Sequence, residues 1–191
     1  MKSATHKTAL LVIDVQESFR NRPYWQPEEL PPFLANTQSL IDGCREQGIR
    51  VLQVFHQEPG PDSRDPFHPQ SGLVRAMPEL RLKADAVFYK EVHSALYGRT
   101  TDGVTLENWL RTHGIEDILV TGIRTEQCCE TTARHASDVG FKVQFVADAT
   151  LTFPMESRSG RLFSTAEIRE RTELVLDNRF ARVVSTAQAL E

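Results

Sequence analysis

Thr8-Ala9-Leu10-Leu11-Val12-Ile13-Asp14 is the stretch whose reading decides the fold. Its apolar residues do not alternate with polar ones but run unbroken from Ala9 to Ile13, the pattern of a strand buried on both faces. Such strands belong to parallel sheets, whose crossover helices cover both sides. One carboxylate, Asp14, ends the run.

The rest of the chain extends that pattern. Pro31 and Pro32 precede a helical repeat over 33–47, with Leu34, Leu40, Ile41 and Cys44 on one face and Gly48 as its stop. Strands are expected over 49–55 and 86–89, then a helix over 105–112 closed by Gly114 and a strand over 115–120. A helix over 126–139, a strand over 143–146, a helix over 165–176 and a strand over 181–184 complete the order. Strands alternating with helices imply right-handed crossovers, so the expected fold is α/β, a three-layer α/β/α sandwich around a six-stranded, mainly parallel sheet. One domain over 1–191 is expected, with residues 56–85, rich in proline, as a lid or binding loop.

Composition removes several classes of function. Hydrophobic residues make up 40% and charged residues 25%, an ordinary folded balance. With 22 basic against 26 acidic residues and no dense Lys/Arg cluster, no nucleic-acid or anionic-membrane partner is expected. The longest apolar run falls far short of the ~20 residues that span a bilayer, and no secretory signal is evident, so a cytoplasmic setting is expected. Three cysteines, two of them adjacent, do not make a disulfide framework and are read as reduced thiols.

In open α/β sheets ligands bind beyond the carboxyl ends of the strands. Those ends carry Asp14, His56, Lys90, the 122–128 segment and Asp148. Cys128 falls in the expected first turn of a helix, where the dipole favours a thiolate; its position alone divides evenly between a nucleophile and a small buried apolar residue. Adjacent helical residues point about 100° apart. Thr132 therefore shares the face of Cys128, while Ala133 and Ala136 align with Cys129 as the buried partner. Asp14 is a general base or a turn cap, and Lys90 supplies charge to the crevice or snorkels to solvent. Together the three offer what acyl transfer needs: a nucleophile, a base and a cation.

Leu11-Val12-Ile13-Asp14-Val15-Gln16 with Phe19, Lys90 with Ser94-Ala95-Leu96 and Thr100, and Gly122-Ile123-Arg124-Thr125-Glu126-Gln127-Cys128 with Thr132-Ala133 resemble the isochorismatase-like cysteine hydrolases in order and spacing. The resemblance implies a catalytic triad of Asp14, Lys90 and Cys128, and a cis peptide between Ile123 and Arg124. It further implies an oxyanion hole from the N–H groups of Arg124 and Cys128. The implied activity is hydrolysis of a C–N bond in a small amide or carbamoyl substrate through a thioester, by a homo-oligomer without a cofactor. Members similar to nicotinamidases bind a divalent metal through an Asp-x-His pair and another histidine. Val54-Phe55-His56 lacks that carboxylate, so His56 and His68 are expected to hold no metal. A metal-linked nicotinamidase-like amidase and a non-catalytic binding module are the alternatives. Phe19, Trp25, Arg124 and Thr125 are expected to contact substrate, with Tyr24, Arg64, Phe67 and Phe163 as further candidates for the pocket wall. His6, His93, His113 and His135 are read as structural or solvated.

Overall fold

The computed structural model describes residues 7–191, so the reading of His6 lies outside the described residues. A six-stranded sheet is built from β1 (Thr8–Ile13), β2 (Arg50–His56), β3 (Ala86–Lys90), β4 (Asp117–Ile123), β5 (Lys142–Leu151) and β8 (Arg182–Val184). Its order is β3-β2-β1-β4-β5-β8, with every neighbouring pair parallel. The helices are α1 (Leu30–Glu46), α2 (Leu106–Thr112), α3 (Glu130–Asp138), α4 (Thr165–Leu176) and α5 (Thr186–Ala189).

The unbroken apolar run of β1 is explained by its two faces. Ala9, Leu11 and Ile13 join one core with Leu106 and Leu110 of α2, Ala133 and Ala136 of α3 and Leu176 of α4. Leu10 and Val12 point the other way, into a second core with Phe33, Leu40, Ile41 and Cys44 of α1. Each fully buried Leu or Ile contributes about 1.5–3 kcal/mol, so neither face tolerates a polar residue. Pro31 and Pro32 lie inside the first turn of α1 rather than ahead of it, where a missing N–H costs no hydrogen bond.

Several elements differ from the sequence reading: β4 lies over Asp117–Ile123 rather than 115–120, and α5 falls where no element was expected. The strand expected over 143–146 continues to Leu151, because the pairing of β4 with β5 jumps from Val120 opposite Phe145 to Gly122 opposite Thr150. Asp148 therefore lies within β5 and not beyond its end, and its carboxylate accepts from the N–H and hydroxyl of Thr186. Next, a short antiparallel hairpin, β6 (Met155–Glu156) and β7 (Leu162–Phe163), falls where no element was expected, since two-residue strands leave no periodicity to read. The 56–85 segment is stitched to the chain after β1: Ser18 N donates to Leu73 O at 3.1 Å and Glu17 N to Arg75 O at 3.0 Å.

Order in the sheet reverses direction between β1 and β4, which opens the crevice at their carboxyl ends. Gly122 lets the two strands approach there. Its φ is 137°, and a Cβ on it would meet the Ile13 carbonyl oxygen at 1.9 Å. Gly122→Ala is expected to cost more than about 3 kcal/mol of stability in urea denaturation. Gly140→Ala, also at positive φ but with open space around it, is the control, expected to cost about 1–2 kcal/mol.

Candidate active site

The backbone turns sharply where β1 ends. Asp14 has φ 55°, in the left-handed region that an aspartate tolerates better than most residues, and its N–H still donates to Val54 O at 2.9 Å. That turn breaks the strand alternation and leaves the carboxylate in the crevice. Lys90, the last residue of β3, reaches it: Nζ lies 2.7 Å from Asp14 Oδ2, with both side chains fully buried. The same Nζ donates to Cys128 Sγ at 3.3 Å and lies 3.2 Å from His56 Nδ1. Asp14, Lys90 and Cys128 are thus brought together by the ends of three strands.

Cys128 sits in a π-helical turn, Thr125–Cys129, just ahead of α3, rather than in the first turn of that helix. The peptide joining Ile123 and Arg124 before this turn is cis. Thr132 takes the place expected of it, donating from its hydroxyl to Cys128 O at 2.6 Å while accepting from Ala95 N at 2.9 Å. Cys129 is fully buried in the core beside Ala133 and Ala136. The thiolate expected from the helix dipole is corrected. Burial and the neighbouring Asp14 carboxylate push the Cys128 thiol up to about 12 and outweigh the opposing pull of Lys90. For Lys90, burial alone acts downward, yet Asp14 and Cys128 carry it above the usual lysine value, so it stays an ammonium.

These groups open onto a cavity of about 90 Å³. Asp14, His56 and Cys128 form its reactive end, while Phe19, Tyr24 and Phe67 supply aromatic wall. Arg22, Glu58, His93 and Gln127 complete the lining. Arg22 and Glu58 were missed because they lie on loops whose path the sequence does not fix, while Gln127 belongs to the 122–128 segment; His93, read as structural or solvated, is exposed but borders the cavity.

Several residues expected at the substrate are committed elsewhere. The Arg124 guanidinium pairs with Glu126 at 2.9 Å and covers the Tyr24 ring at 4.8 Å, so its side chain braces the wall from behind. Thr125 is buried, donating from its hydroxyl to Thr150 Oγ1 at 2.8 Å. Trp25 packs on Phe153, with ring centroids 5.3 Å apart. Arg64 is exposed and pairs with Asp62, and Phe163 lines a separate cavity of about 650 Å³ between the hairpin and α4. Of the remaining histidines, His113 stacks on Trp109 and His135 bonds Ser94. Among the described residues no group of three His, Cys, Asp or Glu side chains is arranged to hold a metal ion. Val54 is fully buried and aliphatic, His56 Nδ1 faces an ammonium, and His68 Nδ1 accepts from Gln70 N. That donor set does not fit a divalent cation.

Sequence reading passed over a clamp at the end of β2. The buried Gln16 side chain accepts from His56 N at 2.8 Å and donates to His56 O at 3.0 Å and to Ser18 Oγ at 2.9 Å. One amide thereby fixes the ends of β1 and β2 relative to each other.

The family model described as "Isochorismatase domain" matches residues 8–188. The isochorismatase family protein YrdC of Bacillus subtilis is 27% identical over 190 residues, covering 96% of this chain and 95% of that protein. The nicotinamidase/pyrazinamidase of Mycobacterium tuberculosis is 36% identical over 158 residues, covering 74% and 85%. A crystal structure of an isochorismatase-family protein from Chromobacterium violaceum superposes with a TM-score of 0.83 at 28% identity, covering 98% of this chain and 93% of that one.

Because Cys128 rests as a thiol, its alkylation rate with iodoacetamide is expected to keep rising with pH beyond 9. Stopped-flow or mass-spectrometric rates across pH 6–10 check this, and a plateau near neutrality would show a resting thiolate instead.

Proposed function

This chain belongs to the isochorismatase family of hydrolases, and from that membership we propose that it is a cysteine hydrolase cleaving the C–N bond of a small amide or carbamoyl compound. The observation that carries the reading is the Lys90 ammonium, 2.7 Å from Asp14 and 3.3 Å from Cys128 at the end of a small cavity. The nicotinamidase/pyrazinamidase relative supports an amide as substrate class. A binding module would have no use for a buried ion pair beside a thiol.

The proposed chemistry runs in the following steps. Asp14 takes the Cys128 thiol proton as Sγ attacks the carbonyl carbon. The resulting oxyanion is held by the N–H groups of Arg124 and Cys128. Collapse of the tetrahedral species breaks the C–N bond, and Asp14 returns its proton to the leaving amine. Water then gives a proton to Asp14 and adds to the thioester, whose breakdown releases the acid and restores the thiol. Lys90 remains charged throughout, balancing whichever neighbour is anionic. The aromatic wall selects a small planar acyl group, and the 56–85 segment contributes Phe67 and Glu58 to its enclosure.

Asp14→Asn, Lys90→Ala and Cys128→Ala are each expected to lower turnover by about a thousandfold or more, and Asp14→Asn/Lys90→Ala by little more than either single change. Hydrolysis of a primary-amide and carbamoyl panel, with intact-protein mass spectrometry for the acyl adduct, tests the reading. Full activity in Cys128→Ala would overturn it, and losses that multiply in the double variant would show that Asp14 and Lys90 act independently.

Activity is expected to survive dialysis against a strong chelator, since Val54 and the Lys90-facing His56 leave no set of ligands. Loss restored by added zinc or manganese would favour the metal-linked nicotinamidase-like reading.

A further inference from the structure

We propose that His56 is a positioning residue, whose Nδ1 takes the third N–H of Lys90 and so holds the ammonium in place between Asp14 and Cys128. The inference rests on the Asp14–Lys90–Cys128 set being the catalytic one.

An ammonium has three donors and no acceptor. One donates to Cys128 Sγ at 3.3 Å, Asp14 Oδ2 stands 2.7 Å away as the ion-pair partner, and the remaining neighbour is His56 Nδ1 at 3.2 Å. Lysine cannot accept, so Nδ1 must present its lone pair. That fixes the tautomer: Nε2 carries the proton and points to Glu58 Oε1, 3.4 Å away. The ring also stands edge-on to Phe67, with centroids 5.7 Å apart, and the Gln16 amide grips the peptide N–H and C=O of His56 from the side of β1. The residue is thereby held through its backbone and through its ring.

Such a fixed acceptor matters because the lysine stem is long and flexible. Without it the ammonium would swing onto the carboxylate alone, the stronger of its two partners, and leave the sulfur that it must stabilise during attack. His56 also has to stay neutral to do this. Lys90 from β3, Arg22 from the loop after β1 and His93 beyond β3 disfavour a charge on it, Asp14 favours one, and Glu58 lies at its outer nitrogen. Burial, the largest influence, and Lys90 bring its pKa down to about 4.

Asparagine is the diagnostic substitution, since its Oδ1 sits one bond from Cγ, as Nδ1 does in histidine, and accepts but cannot be protonated. His56→Ala is expected to slow iodoacetamide alkylation of Cys128 at pH 7.5 by about tenfold and to lower kcat by a similar factor with KM within about threefold, while His56→Asn recovers most of both. Between pH 6.5 and 4 the unfolded chain takes up a proton at residue 56 that the folded chain refuses, so wild-type stability falls as pH falls through this window. His56→Asn should lose that part of the decline in Tm. Nitrogen-15 NMR of the labelled full chain should show His56 with Nε2 protonated and Nδ1 bare at pH 7. The alkylation, Tm and NMR readings need no substrate, so they separate failure of this inference from failure to find amidase activity. A protonated Nδ1, unchanged alkylation in His56→Ala, a rise in KM alone, or no recovery with asparagine would each overturn the proposal. Should His56→Ala not fold, the NMR and the His56→Asn data still decide it.

Discussion

A lysine ammonium and an aspartate carboxylate, 2.7 Å apart and both without exposure to solvent, are the contact on which the site depends. Removing either charge from water costs several kcal/mol, and attraction across the pair offsets that only while both partners are present and well placed. A simple packing role would favour an apolar pair of the same volume. The arrangement is therefore poorly explained by stability alone, and its third member, the Cys128 sulfur 3.3 Å from Lys90, gives the pair something to act on.

Holding these groups is the work of the sheet. Asp14, Lys90 and Cys128 come from the ends of β1, β3 and the turn after β4, so their spacing is set by strand pairing rather than by loops. The strands can end together because Gly122 lets β4 close against Ile13, and because Asp14 accepts a left-handed backbone one residue later. Gln16 then ties the end of β1 to His56 at the end of β2. Rigid elements fix the reacting groups, and variable loops supply the walls.

The same division explains what the sequence could reveal. Both-face burial of β1 shows in its unbroken apolar run, and the helix expected over 165–176 forms over Thr165–Leu176, because each is a local pattern. The meeting of Asp14, Lys90 and Cys128 was legible since strand ends are where an open α/β sheet presents side chains to a crevice, and the family resemblance joined the three positions. Arg22 and Glu58 were not, because their place in the cavity wall depends on long-range loop paths. The Arg124 guanidinium, expected at the substrate, is paired with Glu126 two residues along, a contact that depends on how the chain turns after β4. The extension of β5 past Val146 was hidden by an irregular pairing with β4 that no local pattern announces.

Charge conservation links the resting state to the proposed chemistry. At rest the site holds the Lys90–Asp14 ion pair beside Cys128, whose thiol is pushed up to about 12, a net charge of zero. Transfer of the thiol proton to Asp14 makes a neutral acid and a thiolate, and the net charge is again zero. A low-dielectric interior resists changes in net charge far more than a shift of charge among neighbours already in contact. The ammonium, in contact with both ends of that shift, needs to move little as the anion passes from oxygen to sulfur. A thiol kept protonated until a carbonyl is at hand is also a weak target for oxidants and electrophiles, which react with thiolates. In the proposed chemistry, burial that raises the Cys128 thiol thus confines its reaction to molecules that fit the cavity and lie beside Asp14.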